Sequence, residues 1–126
     1  MWTDATIIGA GPSDLLAATS ISKKGYQVQV YEEHNVVGEP NHCAGLVSVE
    51  GLAKLGVKPN ESFTQNTIYG GRLHAPNGEF IEIRDTKPRA HVIDRGEFDR
   101  HLAQCAQDNG VEIITSARVE KLTEKN

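Results

Sequence analysis

The chain opens with an apolar run, Ala5-Thr6-Ile7-Ile8, that passes directly into Gly9-Ala10-Gly11-Pro12-Ser13-Asp14 and then into a stretch rich in alanine and leucine. A strand that feeds a helix through so short a turn needs a residue without a side chain at Gly9. A phosphate can approach the backbone only where Gly11 leaves room. The helix that follows offers unpaired N–H groups at its start, which suits an anion. These residues predict the entrance of a dinucleotide site, with Pro12 and Ser13 beginning the helix. The third glycine of the usual pattern is replaced by Asp14. Its carboxylate adds bulk where helix and strand should press together and negative charge near the pyrophosphate, so Asp14 is expected to weaken the site.

The pattern continues as such a site requires. A helix is predicted from about Pro12 to Lys24, with Lys23 and Lys24 in its last turn and Gly25 beyond it, cations and a left-handed residue being common helix stops. Tyr26 to Tyr31 reads as a second strand that ends at Glu32 and Glu33. In a βαβ unit the acid at the end of the second strand accepts hydrogen bonds from the adenosine ribose, and Glu32 is the better placed of the two.

Composition narrows the alternatives. The 126 residues suffice for one modest domain and one core. Thirteen basic against 17 acidic residues leave a net charge of −4, which gives no electrostatic sign of a nucleic-acid partner. The start Met-Trp-Thr-Asp has neither a basic leader nor a long apolar run, so a cytoplasmic chain without a transmembrane segment is expected. Cys43 and Cys105 lie too far apart for a metal-ligand pair, no metal site is expected, and both read as thiols.

Further along, Val49, Leu52, Ala53 and Leu55 fit a short helix that stops at Gly56. Thr67 to Ala75 reads as one strand, Pro76-Asn77-Gly78 as a turn, and Phe80-Ile81-Glu82-Ile83 as the returning strand of a hairpin. Gly70-Gly71 suggests a bulge or the close approach of another backbone. Ala90 to Ile93 is a short strand, and Asp94 with Glu97 has capping-box spacing at the start of a helix. In that helix Phe98, Leu102, Cys105 and Ala106 form the inner stripe, while Asp99, Arg100, Gln104, Gln107 and Asp108 face outward. Asn109-Gly110 closes it, and Val111 to Thr115 supplies a third parallel strand.

A second run is Asn41-His42-Cys43-Ala44-Gly45-Leu46-Val47-Ser48, six residues of loop having separated Glu33 from Pro40. Together with Gly9-Ala10-Gly11-Pro12, Glu32, Gly38 and Val92-Ile93-Asp94-Arg95-Gly96-Glu97-Phe98-Asp99-Arg100-His101-Leu102, it resembles the N-terminus of the geranylgeranyl reductase family of FAD-dependent oxidoreductases. The resemblance implies a Rossmann-like α/β FAD-binding domain, a βαβ unit with a parallel sheet plus a small β-hairpin layer. It implies that the backbone at Ser13 and Asp14 touches the pyrophosphate and Glu32 the ribose. Cys43, Ala44 and Gly45 would lie beside the flavin, Arg95 would reach the cofactor from a separate segment, and Val119 would meet the adenine end. On the residues alone, Cys43 can be a packing thiol, His42 a loop histidine, and Arg95 a first-turn helix charge.

The archaeal enzymes of this family saturate geranylgeranyl chains of membrane lipid precursors, so the resemblance implies a prenyl lipid substrate met at the membrane surface and an electron donor that the residues do not specify. Family members are longer. They carry a second flavin-binding stretch with a Gly-Asp pair and a sheet-rich substrate domain, and neither is found before Asn126, so residues 1–126 read as the N-terminal part of an incomplete FAD-binding domain. Two alternatives stay open at this point, a non-catalytic dinucleotide-binding module and the N-terminus of an FAD-dependent monooxygenase. The His42-to-Ser48 run argues against the second.

Overall fold

The computed structural model describes residues 2–124. In chain order the elements are β1 (Ala5–Ile8), α1 (Pro12–Ser22), β2 (Val28–Tyr31), β3 (Leu46–Ser48), α2 (Val49–Lys54) and β4 (Thr64–Ile68). They continue with β5 (Gly70–His74), β6 (Phe80–Arg84), β7 (Ala90–Ile93), α3 (Arg95–Asp108) and β8 (Glu112–Ile114). The single core expected from chain length is not what forms. One compact unit is built from the residues up to Asn41 and from Gly96 onward, the other from His42 to Arg95. Chain length bounds how much core can exist, not how it is divided.

The first unit is a parallel sheet in the order β1-β2-β8. Ala5 lies opposite Val28 and Ile8 opposite Tyr31, while Val30 pairs with Ile113 on the other side. β2 is thus central, and its alternation places Val28 and Val30 in the core at 2% and 0% exposure. α1 packs on β1 and β2 and buries Leu15 and Ala18; full burial of one leucine is worth roughly 1.5–3 kcal/mol over leaving it in water. The helix stops at Ser22 with Lys23 as its C-cap, two residues short of the expected end, and Gly25 takes a φ of +91° in the turn. Accordingly β2 begins at Val28 rather than Tyr26. The Ser22 hydroxyl donates to the Asn109 carbonyl at 2.5 Å, tying the end of α1 to the turn after α3.

α3 corrects the expected stripe. Phe98, Leu102 and Ala106 are buried as anticipated, but so are Asp99 and Ala103, whereas Cys105 is only partly covered. Asp99 and Ala103 are one turn apart, so the inner face is rotated toward them and away from Cys105. A hydrophobicity stripe places a carboxylate outside by default, and here the helix turns the other way. Gly38 explains part of the packing at the start of α3. A Cβ there would lie 2.7 Å from the Gly96 carbonyl oxygen and 2.9 Å from its Cα, so the loop and the helix approach backbone to backbone.

The second unit has an antiparallel sheet, β3-β7-β4, and a separate hairpin, β5-β6. The continuous strand expected from Thr67 to Ala75 is two strands. Ile68 accepts a hydrogen bond from Arg89 at 2.8 Å, but its neighbour Tyr69 accepts from Asp85 at 2.9 Å, so the ladder changes partner between adjacent residues. Gly70 permits the change, because a Cβ there would collide with the Ile83 carbonyl oxygen. The hairpin itself forms as read, with Leu73 opposite Ile81 and His74 opposite Phe80. Every residue of its two strands is exposed. The core of this unit is Leu52, Val57, Phe63 and Ile93.

α2 ends as expected, with Gly56 just past it at φ +70°. It begins on Ser48, whose hydroxyl accepts the Gly51 N–H at 3.1 Å. A helix this short depends on that cap, since most of its backbone donors lack an intrahelical partner. Ser48→Ala is expected to lower stability by about 1 kcal/mol, read as a shift in urea midpoint at unchanged slope.

Candidate functional site

At the C-terminal edge of the parallel sheet the first unit forms a cleft lined by Ile8, Gly9, Ala10, Gly11, the residues from Tyr31 to His34, and Ala117, Arg118 and Val119. The chain reaches it by hydrogen bonds that extend the sheet. Gly9 N–H donates to the Tyr31 carbonyl at 2.8 Å, and Glu32 N–H to the Ile114 carbonyl at 2.8 Å. Past Ile114, Ala117 N–H returns to the Glu32 carbonyl at 2.8 Å, which brings Val119 to the cleft. Gly9 has φ +102°, a conformation that a residue with a side chain rarely adopts, and this fixes the sharp exit from β1.

Glu32 holds this arrangement together. Its Oε2 accepts the Ala10 N–H at 2.8 Å, from the turn between the two glycines. Its Oε1 accepts the His34 N–H at 2.9 Å and lies 2.6 Å from His34 Nδ1, which acts as donor because an ionised carboxylate can only accept. Burial disfavours the charged form, yet the His34 and Ala10 N–H groups and the His34 ring outweigh it, so the Glu32 carboxyl is held below the usual carboxylate range. Of the roughly four acceptor sites on a carboxylate, Oε1 uses two and Oε2 one. One acceptor place on Oε2 is left without a partner among the described residues, on a side chain that lines the cleft.

The glycine turn fits a phosphate less well. Gly11 is the extended N-cap of α1, with Pro12 at the first helical position, and Ser13 is exposed beside it. Asp14 Oδ2 accepts the Gly11 N–H at 3.1 Å. That same oxygen would lie 3.1 Å from a Cβ on Gly9 and 3.2 Å from one on Gly11. The room that the glycines create next to the backbone is therefore held by a carboxylate of the chain itself. Asp14 was expected to crowd the packing of α1 on β1; its side chain instead turns back to cap the helix.

The remaining residues singled out in the sequence, Cys43, Ala44, Gly45 and Arg95, belong to the second unit. Gly45 has φ +76° and is buried, and its carbonyl accepts the Ile93 N–H at 2.8 Å. This places residues 43–45 beside the end of β7, from which Arg95 follows. Cys43 is exposed, with its Sγ 3.4 Å from the Gly45 nitrogen. Sequence reasoning missed Ala10, His34 and Arg118. Ala10 and His34 supply donors to Glu32, and Arg118 lies 3.3 Å from Glu33. The signal for Ala10 was available in its place between two glycines. Those for His34 and Arg118 were not, since they depend on how the chain turns after β2 and β8.

Among the described residues no group of His, Cys, Asp or Glu could hold a metal ion, and no helix is long and apolar enough to cross a membrane. Residues 7–39 match the NAD(P)-binding Rossmann-like domain family, which takes in the last two residues of β1, the glycine turn, α1, β2 and Glu32. The chain is 34% identical over 124 residues to digeranylgeranylglycerophospholipid reductase 2 of Methanosphaera stadtmanae, covering 95% of this chain and 32% of that protein. It is 34% identical over 116 residues to digeranylgeranylglycerophospholipid reductase of Methanococcus aeolicus, covering 92% of this chain and 29% of the relative. The chain thus spans about a third of the length of the curated relatives it matches. Among solved structures, a geranylgeranyl bacteriochlorophyll reductase-like protein from Thermoplasma acidophilum superposes with a TM-score of 0.93 at 26% identity, over 98% of this chain and 32% of that one. The p-nitrophenol 4-monooxygenase of Pseudomonas putida shares the fold at a TM-score of 0.77 and 19% identity, over 95% of this chain and 33% of that one. The likeness to the reductases therefore extends over nearly the whole chain, and the Rossmann-like α/β fold expected from the glycine turn is the fold that forms.

Proposed function

We propose that this chain supplies the adenosine-binding part of an FAD site in a reductase that saturates the geranylgeranyl chains of membrane lipid precursors. One observation carries the cofactor reading. Glu32 is ionised, fixed by Ala10 and His34, and keeps an acceptor position toward a cleft whose other wall is a glycine turn at a helix start. The substrate class rests on the relatives, which are reductases named for a digeranylgeranyl lipid. Bound flavin, once reduced by an electron donor, would supply the hydride equivalent to one carbon of an isolated alkene while a proton reaches the other. The chain's own residues would bind and orient it: Glu32 at the ribose, Gly9, Gly11, Pro12 and the backbone at Ser13 and Asp14 along the pyrophosphate side, Val119 toward the adenine. The roles of Cys43, Ala44, Gly45 and Arg95 at the flavin end rest on the family resemblance. A prenyl lipid substrate suits a cytoplasmic protein that works at the membrane surface, and the electron donor is left open.

A nucleotide-binding module without redox chemistry is a second reading, favoured by the Asp14 carboxylate in the phosphate space. Titration of the chain with FAD, adenosine and FMN tests the cofactor reading. FAD and adenosine are expected to bind at least about tenfold more tightly than FMN, which lacks the adenosine, a difference of about 1.4 kcal/mol. Equal binding of FAD and FMN, or binding of neither adenosine nor FAD, overturns it.

A further inference from the structure

We infer that the Asp14 carboxylate is a built-in occupant of the phosphate cradle, one that a dinucleotide must displace, and that Asp14 thereby sets how strongly the site accepts a diphosphate. The inference rests on the reading of the cleft as an adenine-dinucleotide site and adds to it a residue that selects the ligand's charge.

Three distances carry it. Asp14 Oδ2 receives the Gly11 N–H at 3.1 Å. It also stands 3.1 Å and 3.2 Å from the Cβ positions that Gly9 and Gly11 leave empty. The dinucleotide pattern places the first glycine for the tight turn and the second so that a pyrophosphate can approach the backbone. A phosphate oxygen that approaches the backbone at Gly11 needs the volume that Asp14 Oδ2 holds, so it and the Asp14 oxygen exclude one another. They also repel, since both are anions. The charged residues lining the cleft do not offset this: Glu32 and Glu33 are acids, His34 is engaged by Glu32, and Arg118 faces Glu33 at 3.3 Å. Without ligand the carboxylate does useful work as an acid in the first turn of α1, where it satisfies a backbone donor and complements the helix dipole. Diphosphate binding must give up that cap. Adenosine, which ends before the phosphates, need not.

The test compares the wild-type chain with Asp14→Gly and Asp14→Asn, using adenosine and ADP in calorimetric titrations and thermal unfolding without ligand. Asp14→Gly is expected to bind ADP about tenfold more tightly or better, the scale of one hydrogen bond to a charged group, with adenosine affinity unchanged. The unliganded protein should at the same time melt at lower temperature, because its cap is gone. Asp14→Asn keeps the size and an acceptor oxygen but not the charge, so it should gain part of the ADP affinity while melting close to wild type. A purely structural role for Asp14 would lower stability and ADP affinity together. The proposal is overturned if neither variant binds ADP more tightly, or if adenosine and ADP affinities rise equally. If wild type distinguishes FAD from FMN and Asp14→Gly gains nothing, the gate fails and the cofactor reading stands. If no variant binds adenosine or ADP, both fail.

Discussion

Gly45→Ala is expected to destabilise the second unit by about 2–5 kcal/mol, the sum of roughly 1–2 kcal/mol for a side chain at positive φ and 1–3 kcal/mol for overpacking. Gly45 sits at φ +76°, and a Cβ on it would run into the carbonyl oxygen of Ile93. The obstacle is backbone in the central strand β7, whose Ile93 N–H is bonded to the Gly45 carbonyl at 2.8 Å. Neither side can yield without opening the start of the β3–β7 ladder. Two further glycines in the same unit separate the contributions. Gly56 has φ +70° with nothing within 4 Å of a Cβ, and Gly71 has open space and no positive φ. Gly56→Ala should therefore cost only the conformational part, about 1–2 kcal/mol, and Gly71→Ala should stay within about 0.5 kcal/mol of wild type. Urea unfolding of the three variants reads the series, and three equal values would refute the collision at Gly45.

Glu32→Ala is expected to weaken adenosine and FAD binding by about 1.5–3 kcal/mol, because it removes an ionised acceptor from a ligand hydroxyl. It also strips the Ala10 and His34 N–H groups of their partner, so the unliganded protein should lose stability near neutral pH. The sign of the pH dependence follows from the lowered carboxyl. A group whose folded-state pKa is depressed contributes stability above its unfolded pKa and loses it as pH falls through the folded one. The stability gap between wild type and Glu32→Ala should thus be full above the ordinary carboxylate range and shrink as the solution is acidified below it. A gap that persists unchanged in acid would mean that the Glu32 charge contributes nothing, and unchanged adenosine affinity would remove Glu32 from the site.

The glycine turn and the strand-end acid of the first unit were readable in the sequence for a physical reason. Gly9 and Glu32 are constrained by local geometry, since a positive φ and the end of a strand each leave a mark on residue choice. The hairpin was legible for the same reason, Pro76-Asn77-Gly78 standing between alternating strands. What the pattern could not give are choices settled by competition between partners. Ile68 and Tyr69 look like consecutive residues of one strand, and only the ladder shows that they serve different sheets. Asp99 carries a charge that argues for water, yet α3 rotates it inward with Ala103. Asp14 was noticed as the misfit in the glycine pattern, but whether it would crowd the strand or cap its own helix depends on a side-chain torsion that composition does not encode.

The exposed β5–β6 ribbon has a consequence for how the molecule opens. Two strands exposed along their whole length are held chiefly by their mutual ladder, and an isolated pair of this kind is marginal in water. Its amide protons can meet solvent by separation of the ribbon alone, while β7 keeps both of its neighbours and the parallel sheet stays closed. No single unfolding free energy then describes the chain: the tip at Asn77 is the natural place for a protease to enter, at a rate governed by this small local opening and insensitive to substitutions that strengthen the cores.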